Sequence, residues 1–230
     1  YRTKVGDDFN LDMINDANII AQWDKPGNAI GYNNGFDFIE LTTPEIIEED
    51  TFYYRYTLDN VLNGWQYLII LTAFDTGDPA LNIESLESSF VENAVRVFPG
   101  TSATEINNTS PEIGVYPNPY RLNAAWDGSN STTKKIIFYN LPARSTITIF
   151  TLGGDIVAEI NHDAATYSGE DIDWFQTYAG ESDERIFSGG EHAWDILSES
   201  KQTITQGIYL FSVKDLETGE IKQGRFVILK

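Results

Sequence analysis

The sequence predicts an all-β protein that folds as two β-sandwich domains in tandem. Tyr, Phe and Trp make up 13% of the 230 residues whereas Met occurs once, and this aromatic-rich composition favours strands over helices. Short apolar runs recur between Gly-rich turns, and the second half shows no helical period. A polar segment at residues 105–112 divides the runs into two groups. We therefore place the domains at residues 1–104 and 113–230.

The net charge of −20 narrows the classes of partner and ligand. Nucleic acid is not expected as a partner, because phosphate binding needs clustered Lys and Arg. An anionic membrane surface is disfavoured for the same reason. The chain has no cysteine, which excludes disulfides and thiolate chemistry. The longest apolar run, at residues 67–73, is far shorter than the roughly 20 residues that span a bilayer, so no membrane span is predicted.

The first half begins with a segment rich in Asn, Asp and Gly, which predicts long loops and one short helix around residues 11–22. Strands are then predicted at residues 36–41, 51–58, 65–74 and 91–98. Both faces of the third strand are mostly apolar, which is typical of a central strand. The Asn63–Gly64 pair before it favours a turn, because both residues tolerate a positive φ.

The segment YTLDNVLNGWQYLIILTAFDTG, at residues 56–77, resembles the region between strands E and F of fibronectin type III domains. Tyr67 matches the family's corner tyrosine, whose hydroxyl bonds to nearby backbone. The resemblance implies a fibronectin III-like sandwich for residues 1–104. Residues 1–34 supply its first strands poorly, so we expect an incomplete N-terminal portion or a strand donated by another segment or chain.

The linker at residues 105–112 and its surroundings are polar and contain two prolines without an apolar period. The second half then has a regular series of predicted strands, with an irregular insertion at residues 161–190. Strands are predicted at residues 113–119, 135–141, 146–152, 155–160 and 191–197, followed by a hairpin at 207–230. Short strands at this spacing are typical of a β-sandwich.

Six short motifs occur in order in the second half. They are VYPNPY (115–120), NLP (140–142), ITIFTLGGDIV (147–157), AWD (193–195), QGIYLFSV (206–213) and GRFVIL (224–229). Together they resemble the C-terminal sorting-type domain of Bacteroidetes surface proteins, and they are similar to the immunoglobulin-like domain of flagellar hook-capping proteins. Both families are seven-stranded β-sandwiches. The sorting family implies export across the outer membrane by the type IX secretion system.

We therefore expect a non-enzymatic bacterial protein of the cell surface or the extracellular space, with a structural or adhesive role. The resemblance implies contact with secretion or surface-attachment machinery. An incomplete first domain adds the expectation of a homo-oligomer by strand exchange, in a filament or array. Two alternatives stay open. The chain could hold accessory and sorting modules of a secreted hydrolase whose catalytic domain lies upstream, or it could be a carbohydrate-binding module.

Calcium is the one cofactor that the sequence suggests, because this ion prefers closely spaced carboxylate and amide oxygens. Asp75, Asp78 and Asn82 lie in the loop after the predicted central strand and form the first candidate site. The alternative is that the two aspartates cap turns. Asp8, Asn10 and Asp12 form the second candidate site, although Met13 replaces the glycine of an EF-hand loop.

Exposed aromatic side chains are candidates for contact with a partner or a carbohydrate. Trp126 and Trp174 lie in polar loop sequences, and Trp174 with Phe175 is the strongest candidate contact patch. The alternative is that this pair folds back over the sandwich. The two histidines, His162 and His192, border the insertion and are expected to be exposed in loops.

Three asparagines lie in N-x-[ST] glycosylation sequons, namely Asn107, Asn108 and Asn130. The first two belong to the predicted linker, where a glycan would fit.

Overall fold

The regular structure of the described residues is nearly all β, as the sequence predicts. We describe it from a computed structural model, which covers residues 2–5, 18–27, 35–47, 49–63, 65–90, 92–122, 127, 130–174 and 185–229. The described residues form fourteen strands and one α-helix. The strands belong to sheets of five, four, three and two strands.

The second half of the chain forms a sandwich of two facing sheets. The five-stranded sheet has the order β10 (Ile156–Asp163), β9 (Arg144–Thr151), β13 (Gly207–Asp215), β14 (Ile221–Leu229) and β7 (Tyr120–Arg121). The three-stranded sheet has the order β12 (Glu191–Trp194), β8 (Ile136–Tyr139) and β6 (Gly114–Tyr116). Alternate residues of β13 point inward, as Tyr209, Phe211 and Val213 do, because side chains of a strand alternate between its faces.

The first half contributes a four-stranded sheet and a separate ribbon. The sheet has the order β1 (Arg2–Val5), β4 (Gln66–Ile70), β5 (Ala94–Phe98) and β11 (Arg185–Phe187). The ribbon pairs β2 (Glu40–Ile47) with β3 (Asp50–Tyr54). Strand β4 lies between β1 and β5, so the predicted central position is confirmed. Tyr67 also behaves as the resemblance implies, because its hydroxyl accepts a hydrogen bond from the Leu62 amide at 3.0 Å.

Several predicted boundaries in the first half are wrong. Residues 18–22, the described part of the predicted helix at 11–22, are not helical. The predicted strand at 36–41 begins only at Glu40, because residues 37–39 form a turn. The register of β2 shifts between Glu40 and Glu45, around Pro44, since proline cannot donate to a ladder. The strand predicted at 65–74 ends at Ile70.

The three-stranded sheet of β12, β8 and β6 packs against other residues on both of its faces. Ile136 and Phe138 of β8 belong to the core shared with the five-stranded sheet. Ile137 of β8 and Ala193 of β12 belong instead to a second core, together with Phe98 of β5. This second core lies between the halves of the chain. The whole of β12 is consequently buried.

The predicted insertion at 161–190 is partly ordered and joins the two halves. Its first residues extend β10 to Asp163, and its last residues form β11. Strand β11 pairs in parallel with β5, with Phe187 opposite Phe98. The division into domains at residues 1–104 and 113–230 stays a prediction, but an element of the second segment completes the sheet of the first.

The short helix α1 (Ala103–Thr109) overlaps the first part of the predicted linker. Ser102 caps its N-terminus, because the Ser102 side chain accepts a hydrogen bond from the Glu105 amide at 3.3 Å. Ile106 is its one buried residue. A seven-residue helix with one buried side chain shows no repeating apolar pattern, so the sequence did not predict it. The Ser-x-x-Glu pattern of a capping box was the available signal.

Replacing Gly190 by alanine is expected to lower the free energy of unfolding by about 1–3 kcal/mol, because it overpacks the junction with α1. An added Cβ would lie 2.5 Å from Ile106 Cδ1 and 2.7 Å from the Thr101 carbonyl oxygen. Urea unfolding measures the loss. Gly207→Ala is the matched control, because a Cβ there meets only Tyr209 Cε2, at 3.7 Å. Equal stability of the two variants would contradict a tight junction.

Candidate functional site

The two histidines meet in a buried pair, so the prediction of two exposed loop histidines is wrong. His162 ends up 2% exposed and His192 3% exposed. His162 lies on β10 of the five-stranded sheet, and His192 lies on β12 of the three-stranded sheet. Their Nδ1 atoms are 3.2 Å apart. The pair therefore bridges the two sheets of the sandwich along one side.

The pair is held by a direct hydrogen bond between its rings. The ring centroids lie 5.4 Å apart, which is the Nδ1···Nδ1 distance plus about one ring radius at each end. Both nitrogens thus lie on the line between the ring centres, which is the alignment of an N–H···N bond. A metal ion bound by both nitrogens would draw them off that line, since its two bonds meet at an angle.

The remaining contacts of His162 decide which nitrogen of the pair donates. His162 Nε2 lies 3.1 Å from the Gly189 carbonyl oxygen, and because a carbonyl only accepts, Nε2 carries a hydrogen. Burial, and secondly the neighbouring His192, lower the pKa of His162 to about 4. His162 is therefore neutral at pH 7, and its Nδ1 accepts. His192 Nδ1 is the donor.

The orientation of the His192 ring is fixed by its neighbours. The Tyr167 ring stacks on it with centroids 4.0 Å apart. The Tyr167 hydroxyl in turn accepts a hydrogen bond from the Ala193 amide at 2.8 Å. Burial, and secondly the charge of Asp171, raise the pKa of the Tyr167 hydroxyl, so it stays protonated. His192 Nε2 faces Asp171, whose Oδ2 atom is 3.3 Å away.

The histidine pair lies at the wall of an open cavity of about 530 Å³. Arg144, Asp163, Glu170 and Asp171 supply its charged groups, and Leu216 supplies an apolar part. The Arg144 side chain lies 3.7 Å from Asp163 Oδ2, so these two charges are partners at the rim. The Asp171 side chain is half-exposed and reaches both the solvent and His192.

The first predicted calcium site uses its carboxylates to shape a loop. Asp75 Oδ1 accepts hydrogen bonds from the amides of Gly77 and Leu86, at 3.0 and 2.9 Å. Asp78 caps a 3₁₀ turn at Pro79–Leu81, and Asn82 ends that turn with a left-handed φ of 55°. These contacts match the alternative of turn capping. Within the described ranges, no group of three His, Cys, Asp or Glu side chains is placed to hold a metal.

The second predicted calcium site, at Asp8, Asn10 and Asp12, lies outside the described residues. The same holds for two of the three aromatic contact candidates, Trp126 and Phe175. Calcium binding at either predicted site stays a prediction.

The Trp174 ring is buried, so the prediction that this ring forms an exposed contact patch is wrong. It is 8% exposed and belongs to the core between the halves, where it packs against Phe98 with ring centroids 5.4 Å apart. Its indole N–H donates to the Gly169 carbonyl at 2.7 Å. A cation lies over the ring, since Lys135 Nζ is 4.9 Å from its centroid. The alternative, in which this segment folds back over the sandwich, describes Trp174 correctly.

The glycosylation candidates are exposed on ordered elements. Asn107 and Asn108 lie on α1 rather than in an extended linker. Asn130 precedes a 3₁₀ turn, and its Oδ1 atom accepts a hydrogen bond from the Thr132 amide at 3.2 Å. Modification of all three stays a prediction.

Sequence reasoning missed the histidine pair because its members come from different sheets, 30 residues apart. The available signal was strand parity. Ala158, Ile160 and His162 are alternate residues of β10, and the first and last of them are buried. The predicted strand ended at residue 160, which left His162 in a loop.

Comparison with known proteins yields little likeness. No protein-family profile matches the chain, and no curated protein matches it. One similar solved structure is PorZ of Porphyromonas gingivalis, an essential bacterial surface component of the type IX secretion system. It has 17% identity and a TM-score of 0.34, over 63% of this chain and 14% of PorZ. Dimeric latent PorU of the same organism has 16% identity and a TM-score of 0.30, over 78% of this chain and 13% of PorU.

At these scores neither likeness carries an argument about function. The chain spans only about a seventh of the length of either protein. In the part of the chain that the structure describes, no helix is long and apolar enough to cross a membrane.

Proposed function

We propose that this chain is part of a non-enzymatic bacterial surface protein with a structural or adhesive role, and that its second half directs export through a type IX-like pathway. One observation supports the proposal above all others. The six motifs that resemble the sorting-type domain each contribute a side chain to the same hydrophobic core. Motif residues in this core are Val115, Tyr120, Leu141, Ile147, Ile149, Val157, Trp194, Tyr209, Phe211, Val213, Phe226 and Ile228.

The shared core matters because a short motif can match a family by chance. It is less easily explained by chance that all six motifs pack into one core. Here the first motif contributes β6 and β7, on different sheets, and the last forms much of β14. Such a consistent arrangement is what one folded module requires.

The outward face of the closing hairpin supplies a surface for a partner. On β13, Ile208 and Leu210 point away from the core and are 45% and 38% exposed. Exposed apolar side chains that lie together on one sheet face are typical of protein contact sites. We place recognition by the secretion or attachment machinery on this part of the face, at Ile208 and Leu210.

A reporter experiment tests the proposal. A cargo protein exported to the periplasm is fused ahead of the chain and expressed in a bacterium that has a type IX system. We expect the cargo at the cell surface or in the medium, and we expect periplasmic retention in an isogenic strain without that system. Protease accessibility and fractionation measure the distribution.

Two variants separate recognition from folding. Ile208→Lys combined with Leu210→Lys changes only the outward face of β13, so we expect a folded module whose cargo stays in the periplasm. Lys214→Ala, on the same face of the same strand, is the matched control and should export normally. Retention of the cargo with the unaltered chain, in a strain that exports its own type IX substrates, would contradict the proposal.

A further inference from the structure

We propose that His192 and Asp171 form a binding site for one divalent transition-metal ion of the zinc type, and that His162 orients the His192 ring for this purpose. The site lies at the wall of the cavity beside the histidine pair. Its two side-chain ligands are His192 Nε2 and Asp171 Oδ2, which lie 3.3 Å apart. Water completes the coordination, because the described residues place only these two groups together. This inference does not depend on the proposed export function.

The hydrogen-bond chain leaves His192 Nε2 as the ring nitrogen that lies beside Asp171. His162 Nε2–H donates to the Gly189 carbonyl, and His192 Nδ1–H donates to His162 Nδ1. In the tautomer that carries its hydrogen on Nδ1, the lone pair of His192 is on Nε2, on the side of Asp171. A lone pair beside a carboxylate is repulsive unless a cation lies between them.

The geometry favours an ion over a directly shared proton. His192 Nε2 is buried, and among the described residues it has no hydrogen-bond partner. Asp171 Oδ2 is near enough for one at 3.3 Å, so it must lie off the axis along which Nε2 would donate. Two ligands that each lie about 2.0–2.1 Å from a tetrahedral zinc ion are separated by roughly 3.3 Å, with the second ligand off the axis of the first.

The neighbouring residues fix the orientation and the tautomer of the His192 ring in the absence of an ion. Metal-binding histidines usually donate their second ring N–H to a fixed acceptor, which sets the tautomer. His162 is such an acceptor for His192, and the stacked Tyr167 ring holds the plane of the imidazole. A ligand that is already oriented loses little conformational freedom when it binds.

Charge and access also favour a cation. Glu170 lines the same cavity, and the chain as a whole carries a net charge of −20. The Asp171 side chain is half-exposed, so the carboxylate side of the site is open to solvent. Imidazole together with carboxylate suits zinc and its neighbours in the first transition row, whereas calcium prefers oxygen ligands alone.

Zinc titration of the whole chain tests the site. Isothermal titration calorimetry of chelator-treated protein with zinc chloride is expected to show one ion per chain. In long-range ¹H–¹⁵N spectra of the histidines, zinc should shift His192 Nε2 and leave His192 Nδ1 protonated. Calcium chloride at the same concentration should cause neither change.

Matched variants identify the ligands. Asp171→Asn keeps the shape of an exposed side chain and removes its charge, so it should weaken zinc binding at least about 10-fold, while His162→Gln should weaken it by about 10- to 100-fold. Asp163→Asn is the control, because Asp163 lines the same cavity but is paired with Arg144. Its affinity should stay within twofold of the unaltered chain.

Three results would overturn the site. The first is the absence of zinc binding in the micromolar range by a chain whose circular dichroism is native. The second is binding that Asp171→Asn leaves unchanged. The third is a spectrum in which His192 Nε2 is protonated and does not respond to zinc, which would mean that a shared proton occupies the space between His192 and Asp171.

Discussion

Replacing Phe226 by alanine is expected to lower the free energy of unfolding by about 3–5 kcal/mol. Phe226 lies on β14 of the closing hairpin and is 1% exposed. Its ring contacts those of Tyr209, Phe211, Phe138 and Trp194, with centroid distances between 5.6 and 6.5 Å. These neighbours come from both sheets of the sandwich. Removal of the ring therefore leaves a cavity where the sheets meet, which the surrounding strands cannot close.

Urea unfolding followed by circular dichroism measures this loss. Arg225→Ala is the matched control, because Arg225 is the preceding residue, is exposed and points to the other face of β14. Its free energy of unfolding should stay within about 0.5 kcal/mol of the unaltered chain. A loss below about 1 kcal/mol for Phe226→Ala would show that the hairpin does not contribute to the core as described.

Replacing Trp174 by alanine is expected to cost a similar amount, about 3–5 kcal/mol, but with a different local consequence. Trp174 packs against Phe98 and Phe187 in the core between the halves of the chain. Its indole N–H also donates to the Gly169 carbonyl, so the ring holds the described turn around residue 169 in place. Without this ring, β11 loses the packing that holds it beside β5.

Hydrogen exchange distinguishes this effect from general destabilisation. We expect faster exchange of the amides in β5 and β11, with β13 and β14 still protected under conditions where the chain stays folded. Phe38→Ala is the matched control, because Phe38 is 90% exposed and should change stability by less than about 0.5 kcal/mol. Uniform loss of protection across all strands would contradict a local role for Trp174.

Much of the second half could be predicted from the sequence because its signals are local. The closing hairpin shows strict alternation of inward and outward residues around a polar turn, and it forms β13 and β14 as expected. In the same way, both apolar faces of the run around Tyr67 indicated a central strand, and its position between β1 and β5 agrees. A strand can be predicted from an apolar pattern with a period of two, because this pattern does not depend on distant residues.

The elements that sequence reasoning missed depend on distant partners. Strand β11 is three residues long and exists because β5 lies beside it, so its own sequence has no strand pattern to detect. Trp174 lies in a polar sequence, yet it is buried because Phe98 and Phe187 approach it from other parts of the chain. Its polar neighbours in sequence indicated exposure, but burial is decided by neighbours in space.

The sequence by itself determined the all-β class, the closing hairpin and the parity of the residues that fill the sandwich core. These follow from composition and from alternation along single strands, which act over a few residues. Tertiary structure alone decided that the insertion joins the two halves, and that His162 and His192 meet across two sheets with Asp171 beside them. These contacts depend on how the sheets pack and on the path of the chain between them. No local sequence pattern encodes a contact between side chains 30 residues apart.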